Sequence, residues 1–390
     1  MSIPHPVIAL LSDLIALPSV NPDRAAARTD APYGEGRMAD YVERYFQRLG
    51  VHVERQVAFP GRDNVLAFLP GQDPQAAPIL LEAHMDTVDV AGMQDPFAPR
   101  LDGGCLYGRG ACDTKATLAA MMLALGELVE AGTRLPRGVW LAGAADEEFA
   151  QTGVRRLVES GMAFSAAVVG EPTGLRVVPC HNGQVYFKIV AHGKAAHTSN
   201  PQLGINAIYT MTDVIGILRH GVSSTYPFRR HPLCGTPQLT VSIIQGGISE
   251  HIVPEKCEAS LDRRVIPGET WDEAVAEIRG WLAAQLDAQT LQRIELKEPH
   301  HIALPLDTPV DHALVRGLYR AAQSVLGEAQ IAGVPYNTDA THLAAAGVPS
   351  VVFGPGDIAQ AHTTNEWVEV DQVIAAVEIL KRFLVEGMDA

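Results

Sequence analysis

The stretch "GVWLAGAADEEF" (138–149) carries an apolar run short enough for one strand, closed by three carboxylates, Asp146, Glu147 and Glu148. Short apolar runs that end in turn or polar residues mark buried strands. Three more runs share the pattern. "PILLEAH" (78–84) ends at His84, "AAVVGE" (166–171) ends at Glu171, and "PSVVFGPG" (349–356) leads into a loop with His362. Helical patterns separate them at 36–49, 114–131 and 150–160, the two long ones stopping before Gly50 and Gly132, as C-caps do. Strands alternating with helices predict an α/β fold with a mostly parallel sheet and helices on both faces.

The middle of the chain has a different pattern. From 181 to 298 the runs "QVYFKIVAHG", "QLTVSIIQGG" and "CEASLDRRVI" alternate apolar and polar residues, with helical patterns at 204–220 and 270–287. That predicts an α+β domain inserted into the first. The expected division is 1–180 and 299–390 for the α/β domain and 181–298 for the insert. The second α/β part has a helix at 309–326 and the strand at 350–353. The chain contains no internal repeat or low-complexity tract.

Composition narrows the class. A chain of 390 residues exceeds what one core usually supports. A net charge of −15 argues against a nucleic-acid partner. Every apolar stretch is too short to cross a membrane. The segment "MSIPHPVIALLSDLIALPSV" lacks a basic n-region and has helical periodicity, which predicts a first amphipathic helix rather than a signal peptide. Five cysteines, odd in number and without a C-x-x-C pair, argue against a disulfide framework and for a reducing cytoplasm.

In open α/β sheets, ligands bind beyond the carboxyl ends of the strands. His84, Glu147/Glu148, Glu171 and His362 fall at or beyond such ends, and Asp113 joins them from "YGRGACDTKA" before a long helix. Imidazoles and carboxylates together suit Zn²⁺, Co²⁺ or Mn²⁺. In "HMD", Asp86 lies two residues from His84 and shares its face of an extended segment. It either orients the imidazole or caps a turn. In the acidic triplet one carboxylate can ligate while its neighbour moves protons. Adjacency leaves open which does which, and an ordinary acidic loop remains the plainer reading.

The motifs "HMDTV", "GRGACDTKATLAAMM", "DEEF", "VVGEPTG", "HGKAAHTSNPQLGINAI" and "GPG…AH", in that order, resemble the co-catalytic zinc amidohydrolase and metallopeptidase family. That family includes acetylornithine deacetylase, succinyl-diaminopimelate desuccinylase, aminoacylase and glutamate carboxypeptidase. The resemblance spans nearly the whole chain. It implies two divalent ions, zinc with cobalt or manganese as alternatives. His84 and Glu171 would hold one, Glu148 and His362 the other, and Asp113 would bridge them. Two divalent ions against three ligand carboxylates leave one positive charge, which a deprotonated water would neutralise. The resemblance further implies Glu147 as general base and acid, Asp86 as the partner of His84, and the insert as a dimerisation and lid domain. His197 would stabilise an oxyanion in the partner's site. Arg264, with Arg263 as its confusable neighbour, would bind the substrate α-carboxylate. Asn337 and Thr338 of "YNTDATH" fall where relatives contact substrate.

Departures from the family pattern leave the substrate open. His251 in "GGISEHIVP" stands where relatives often have Asn, and "AHTTNEW" differs from the "AHQ.DE" of many deacetylases. The expected reaction is hydrolysis of an N-acyl amino acid in the manner of acetylornithine deacetylase. A dipeptidase or carboxypeptidase with the same site is the alternative. A binding protein on this fold would need a broken ligand set, and none is broken; a phosphohydrolase would need a phosphate-cradling loop.

Overall fold

The computed structural model describes residues 5–22, 32–90 and 92–388; the first four residues of the expected amphipathic helix lie outside them. The chain forms two compact units, one of residues 1–179, 308–332 and 338–390, the other of residues 180–307 and 333–337.

The first unit opens with α1 (Pro6–Ala16), α2 (Gly36–Arg48), β1 (His52–Phe59), β2 (Arg62–Leu69) and β3 (Ile79–His84). Short β4 (Arg100–Asp102) and β5 (Cys105–Tyr107) precede α3 (Lys115–Glu130), β6 (Val139–Ala144), α4 (Thr152–Glu159) and β7 (Ala166–Val169). The chain leaves this unit within β8 (Val177–His181). The second unit has β9 (Gly183–His192), α5 (Ala207–Thr225), β10 (Gln238–Gly246), β11 (Lys256–Val265), α6 (Trp271–Gln285) and α7 (Ala288–Leu291). It closes with β12 (Ile294–Leu296), β13 (His301–Ala303) and β14 (Leu306–Asp307). The remainder is α8 (Ala313–Leu326), β15 (Ile331–Val334), α9 (Ala340–Ala345), β16 (Ser350–Val352), β17 (Trp367–Glu369) and α10 (Val370–Glu386).

The order of the large sheet begins β1-β2-β6-β3-β7-β16, and β6, β3, β7 and β16 are parallel to one another. Every residue of β3 is buried, so both faces are covered. Ile79, Leu81 and Ala83 join the core under α1, α3, α8 and α10, while Leu80, Glu82 and His84 face the other way. Helices α4 and α9 pack together, α4 touching β1 and α9 touching β7 and β16. Parallelism brings the carboxyl ends of β3, β6, β7 and β16 to one edge of the sheet.

The predicted strand through the acidic triplet is shorter than expected. It stops at Ala144, and Asp146 sits at φ +69°. A left-handed residue ends the extended run, so Glu147 and Glu148 belong to the turn beyond the strand.

In the second unit the sheet order is β10-β11-β9-β12, with β13 also on β9. Strand β11 alternates strictly: Cys257, Ala259, Leu261, Arg263 and Val265 point inward under α5 and α6. Helix α6 starts with a capping box, in which Thr270 Oγ1 accepts from Glu273 N–H and Glu273 Oε2 accepts from Thr270 N–H. Strand β10 forms the sheet edge, with Ile243 and Ile244 exposed. The return to the first unit falls at Thr308, later than the expected 299, because β13 continues the ladder on β9. No helix among the described residues is long and apolar enough to cross a membrane.

His181 is fully buried, its Nδ1–H donating to the Asn182 carbonyl at 3.0 Å. Burial holds it down to about 4. Below the ordinary value of about 6.5 the unfolded chain takes up a proton that the folded chain refuses, so stability falls as pH drops from there towards 4. His181→Gln is expected to remove about 2 kcal/mol of this acid sensitivity between pH 7 and pH 4.5. Denaturant midpoints of both proteins at pH 7 and pH 4.5 measure it; parallel losses would refute it.

Candidate metal centre

The strand ends deliver the predicted ligands to one place. His84 Nε2 lies 3.1 Å from Asp113 Oδ1 and 3.8 Å from Glu171 Oε1. His362 Nε2 lies 3.2 Å from Asp113 Oδ2 and 3.2 Å from Glu148 Oε2. Asp113 thus turns one carboxylate oxygen to each imidazole. Glu147 joins His84 and Glu171 within ligand range, as Asp113 and Glu148 join His84. His362 is held at φ +59° and is half-exposed, whereas the carboxylates around it are buried. The loops are tied together, for Thr114 Oγ1 donates to Gly170 O at 3.0 Å. Gly170 permits this approach: a Cβ there would sit 2.7 Å from Thr117 Cγ2 and 3.0 Å from Ala83 Cβ.

Asp86 behaves differently from the expectation. The Nδ1 of His84 donates to the backbone carbonyl of Asp86 at 3.0 Å, and the Asp86 carboxylate lies farther off, at 3.6 Å. That carboxylate instead accepts from the backbone N–H groups of Glu147 (3.1 Å) and Glu148 (3.0 Å) and from Asn21 Nδ2 (2.7 Å). Asp86 therefore fixes the imidazole through its main chain and the acidic turn through its side chain. Burial alone would raise its pKa, but His84, Asn21 and the Glu148 N–H hold it below the usual carboxylate range.

Asp146, first of the triplet, is structural. Its carboxylate accepts from Thr152 Oγ1 (2.6 Å), Asn21 Nδ2 (3.0 Å) and Arg62 Nη2 (3.2 Å). Arg62 is buried and also forks onto Glu35 at 2.5 and 2.7 Å, and Glu35 Oε1 accepts from Asp146 N–H. Glu147 has its own brace. Gln151 Nε2 donates to Glu147 Oε1 at 3.0 Å, and His342 Nε2 donates to Gln151 Oε1 at 3.0 Å. Gln151 holds this pose in a left-handed conformation, φ +54°. The Asp113 loop hangs from Glu366, whose carboxylate accepts from the N–H groups of Gly110, Cys112 and Asp113 at 2.8–3.0 Å and from Arg109 at 2.7 Å.

The electrostatics call for positive charge. Burial, then neighbouring charges, push Glu147 up to about 8 and Glu148 up to about 7, and raise Glu171 well above its ordinary value. Hydrogen bonds with Asp113 and Glu148 push His362 up to about 10. His84 is held well above the usual value by Asp113 and Asp86 despite its burial. Protons on the imidazoles stand where cations would otherwise balance the carboxylates. Glu148 Oε1 is buried with no hydrogen-bond partner among the described residues, an acceptor suited to a cation. Nitrogen and oxygen donors in this number fit Zn²⁺, Co²⁺ or Mn²⁺, so the residues present suit a pair of divalent ions. A further carboxyl pair, Glu82 and Asp339, is also buried; burial raises both, Glu82 to about 8.

Of the other predicted residues, Thr338 belongs to the first unit. Thr338 has no exposed surface, and its hydroxyl accepts from Ala340 N–H at 3.3 Å. In this conformation it shapes the start of α9 rather than offering a face to substrate. His197, Arg264 and Asn337 belong to the second unit. There His197 is exposed, its Nδ1 2.8 Å from Ser199 Oγ, and its strand bridge to Ile252 lies beside His251. Asn337 Nδ2 donates to Leu304 O at 3.4 Å. Pleating separates the two arginines: Arg263 is buried against Glu269 and the Tyr226 ring, while Arg264 points outward, 3.0 Å from Asp262.

A largely parallel α/β unit that gathers imidazoles and carboxylates at its strand ends defines a metal-dependent hydrolase. Residues 80–386 match peptidase family M20/M25/M40, and the chain belongs to that family. Similar solved structures include the aminopeptidase PepT of Bacillus cereus, at 19% identity and TM-score 0.79, with 97% of each chain covered. An M20 family metallo-carboxypeptidase of Sulfolobus solfataricus has 20% identity and TM-score 0.75, with 97% of this chain and 98% of that one covered. A dinuclear metal-binding M20 peptidase of Bacillus subtilis has 17% identity and TM-score 0.72, with 98% and 97% covered.

Replacing Arg62 by Leu leaves Glu35 and Asp146 buried without their counter-charge. The expected cost is about 3–5 kcal/mol, read from denaturant unfolding. A loss below 1 kcal/mol would show that the network does not support the fold.

Proposed function

We propose that the protein hydrolyses the amide bond of an N-acyl amino acid that bears a free α-carboxylate. The observation that carries this reading is Asp113, with one oxygen toward His84 and the other toward His362, beside a separately braced Glu147. His84 and Glu171 would hold one ion, Glu148 and His362 the second, with Asp113 between them. When bound, such ions polarise the scissile carbonyl and lower the pKa of nearby water.

The chain's own groups do the rest. Glu147 takes a proton from the attacking water and returns it to the departing amine. Gln151 aims its carboxylate, and His342 aims Gln151. Asp86 holds the turn that keeps Glu147 and Glu148 side by side. Arg264, the outward member of its pair, is the residue we assign to the substrate carboxylate; Asn337 stays an accessory contact. His197 is assigned to the oxyanion in a partner's site. The exposed edge of β10 supports a homodimer, and an odd number of cysteines without a C-x-x-C pair supports a reducing cytoplasm.

A second reading is favoured by the similar structures, which include an aminopeptidase and a metallo-carboxypeptidase: the acyl group is itself an aminoacyl unit, and the substrate a short peptide. A panel of N-acetyl and N-succinyl amino acids against di- and tripeptides, with a chelator control, separates the two by amine release. Turnover of peptides alone would overturn the first.

Glu147→Gln is expected to lower kcat by about 10²–10⁴-fold with metal content unchanged by elemental analysis; near-normal turnover would remove Glu147 from the proton transfer. Gln151→Leu is expected to lower kcat about 10–100-fold, as loss of an orienting partner does, with KM and metal content kept. A change in KM alone would contradict that role.

A further inference from the structure

The second unit holds a thiol pair that takes no part in the proposed hydrolysis. Cys180, at the end of β8, and Cys234, in the turn after α5, are 54 residues apart in sequence, yet their sulfurs lie 3.1 Å apart. That is closer than two sulfurs in ordinary van der Waals contact. Both backbones are braced. Cys180 sits opposite Asp307 in the β8–β14 ladder. The turn is closed by two hydrogen bonds between His231 and Gly235, and His231 Nδ1 accepts from Cys234 N–H at 3.1 Å. Gly333 lets the two approach: a Cβ there would lie 2.7 Å from Leu233 and 3.0 Å from Cys180 Sγ.

We propose that Cys180 and Cys234 form a reversible disulfide, an oxidation site that staples β8 to the 231–235 turn. A disulfide needs sulfurs about 2.0 Å apart, so closure asks for a shift of about 1 Å between braced segments. The oxidant is a small-molecule disulfide. The half-buried Cys234, as thiolate, attacks one sulfur of it, breaking that S–S bond and releasing one thiolate. The buried Cys180 gives up its proton and attacks the Cys234 sulfur, expelling the second thiolate. Two S–H bonds are lost, one S–S bond forms, and the oxidant leaves as two thiols carrying both protons. Cys180 is buried and Cys234 is half-exposed, so Cys234 is the sulfur that a small-molecule disulfide reaches first. His231, 4.0 Å from the Cys180 sulfur, is the neighbouring imidazole.

The test uses the full-length, metal-loaded protein treated with oxidised glutathione, quenched in acid, unfolded and alkylated. All five cysteines are free in the reduced chain, so the label count by intact mass is expected to fall from five to three. Peptide mapping should join Cys180 to Cys234, and dithiothreitol should restore five labels. Cys234→Ser should take four labels before and after oxidation. The proposal is overturned if the wild-type count stays at five, if Cys234 retains a stable glutathione adduct, if another pair is joined, or if closure requires a chelator to strip an ion from the thiols first.

Discussion

The constraint on which the first unit depends is the crowding of Asp86, Asp113, Glu147, Glu148 and Glu171 into a buried space. Like charges this close oppose one another, and burial makes each costlier still. The structure answers with directed donors. Asp86 is held by two backbone N–H groups and Asn21, and Asp146 by Arg62, Asn21 and Thr152. Those two carboxylates are satisfied by protein alone. Glu148 keeps one buried oxygen without a partner among the described residues, and it gathers with Glu171 and Asp113 around two imidazoles. The division separates carboxylates that build the site from carboxylates left free to bind cations.

The same contrast explains what could be read from sequence. A buried strand and its polar terminus lie next to each other in the chain, so His84, Glu148 and Glu171 were visible as strand-end residues, and parallel topology made their convergence expected. Adjacency made a division of roles within the triplet an expectation, and only family resemblance assigned those roles to Glu147 and Glu148. The supports were not visible, because each is far away in sequence. Glu35 and Arg62 reach Asp146 across more than 80 residues, and His342 reaches Gln151 across 191. Nothing local distinguishes such residues from surface charges. Asp86 stands out by its spacing from His84, yet its carboxylate serves the acidic turn, a contact that i, i+2 geometry cannot reveal.

Pleating also decided a choice that sequence left open. Arg263 and Arg264 are chemically alike, but on β11 one must enter the core and the other must leave it. Burial of Arg263 among Glu269 and Tyr226 makes it part of the second unit's packing.

Glu366 gives the first unit a temporal property. The loop that carries Asp113 closes on a carboxylate 253 residues further along the chain. During synthesis from the N-terminus, His84, Asp113, Glu148 and Glu171 all emerge long before that anchor. Contacts of such sequence separation form late, after most of the loop-closure entropy has been spent. The nascent chain therefore carries its acidic cluster unanchored while the next 195 residues after Glu171 are made, and the loop of Asp113 acquires its anchor only once Glu366 arrives.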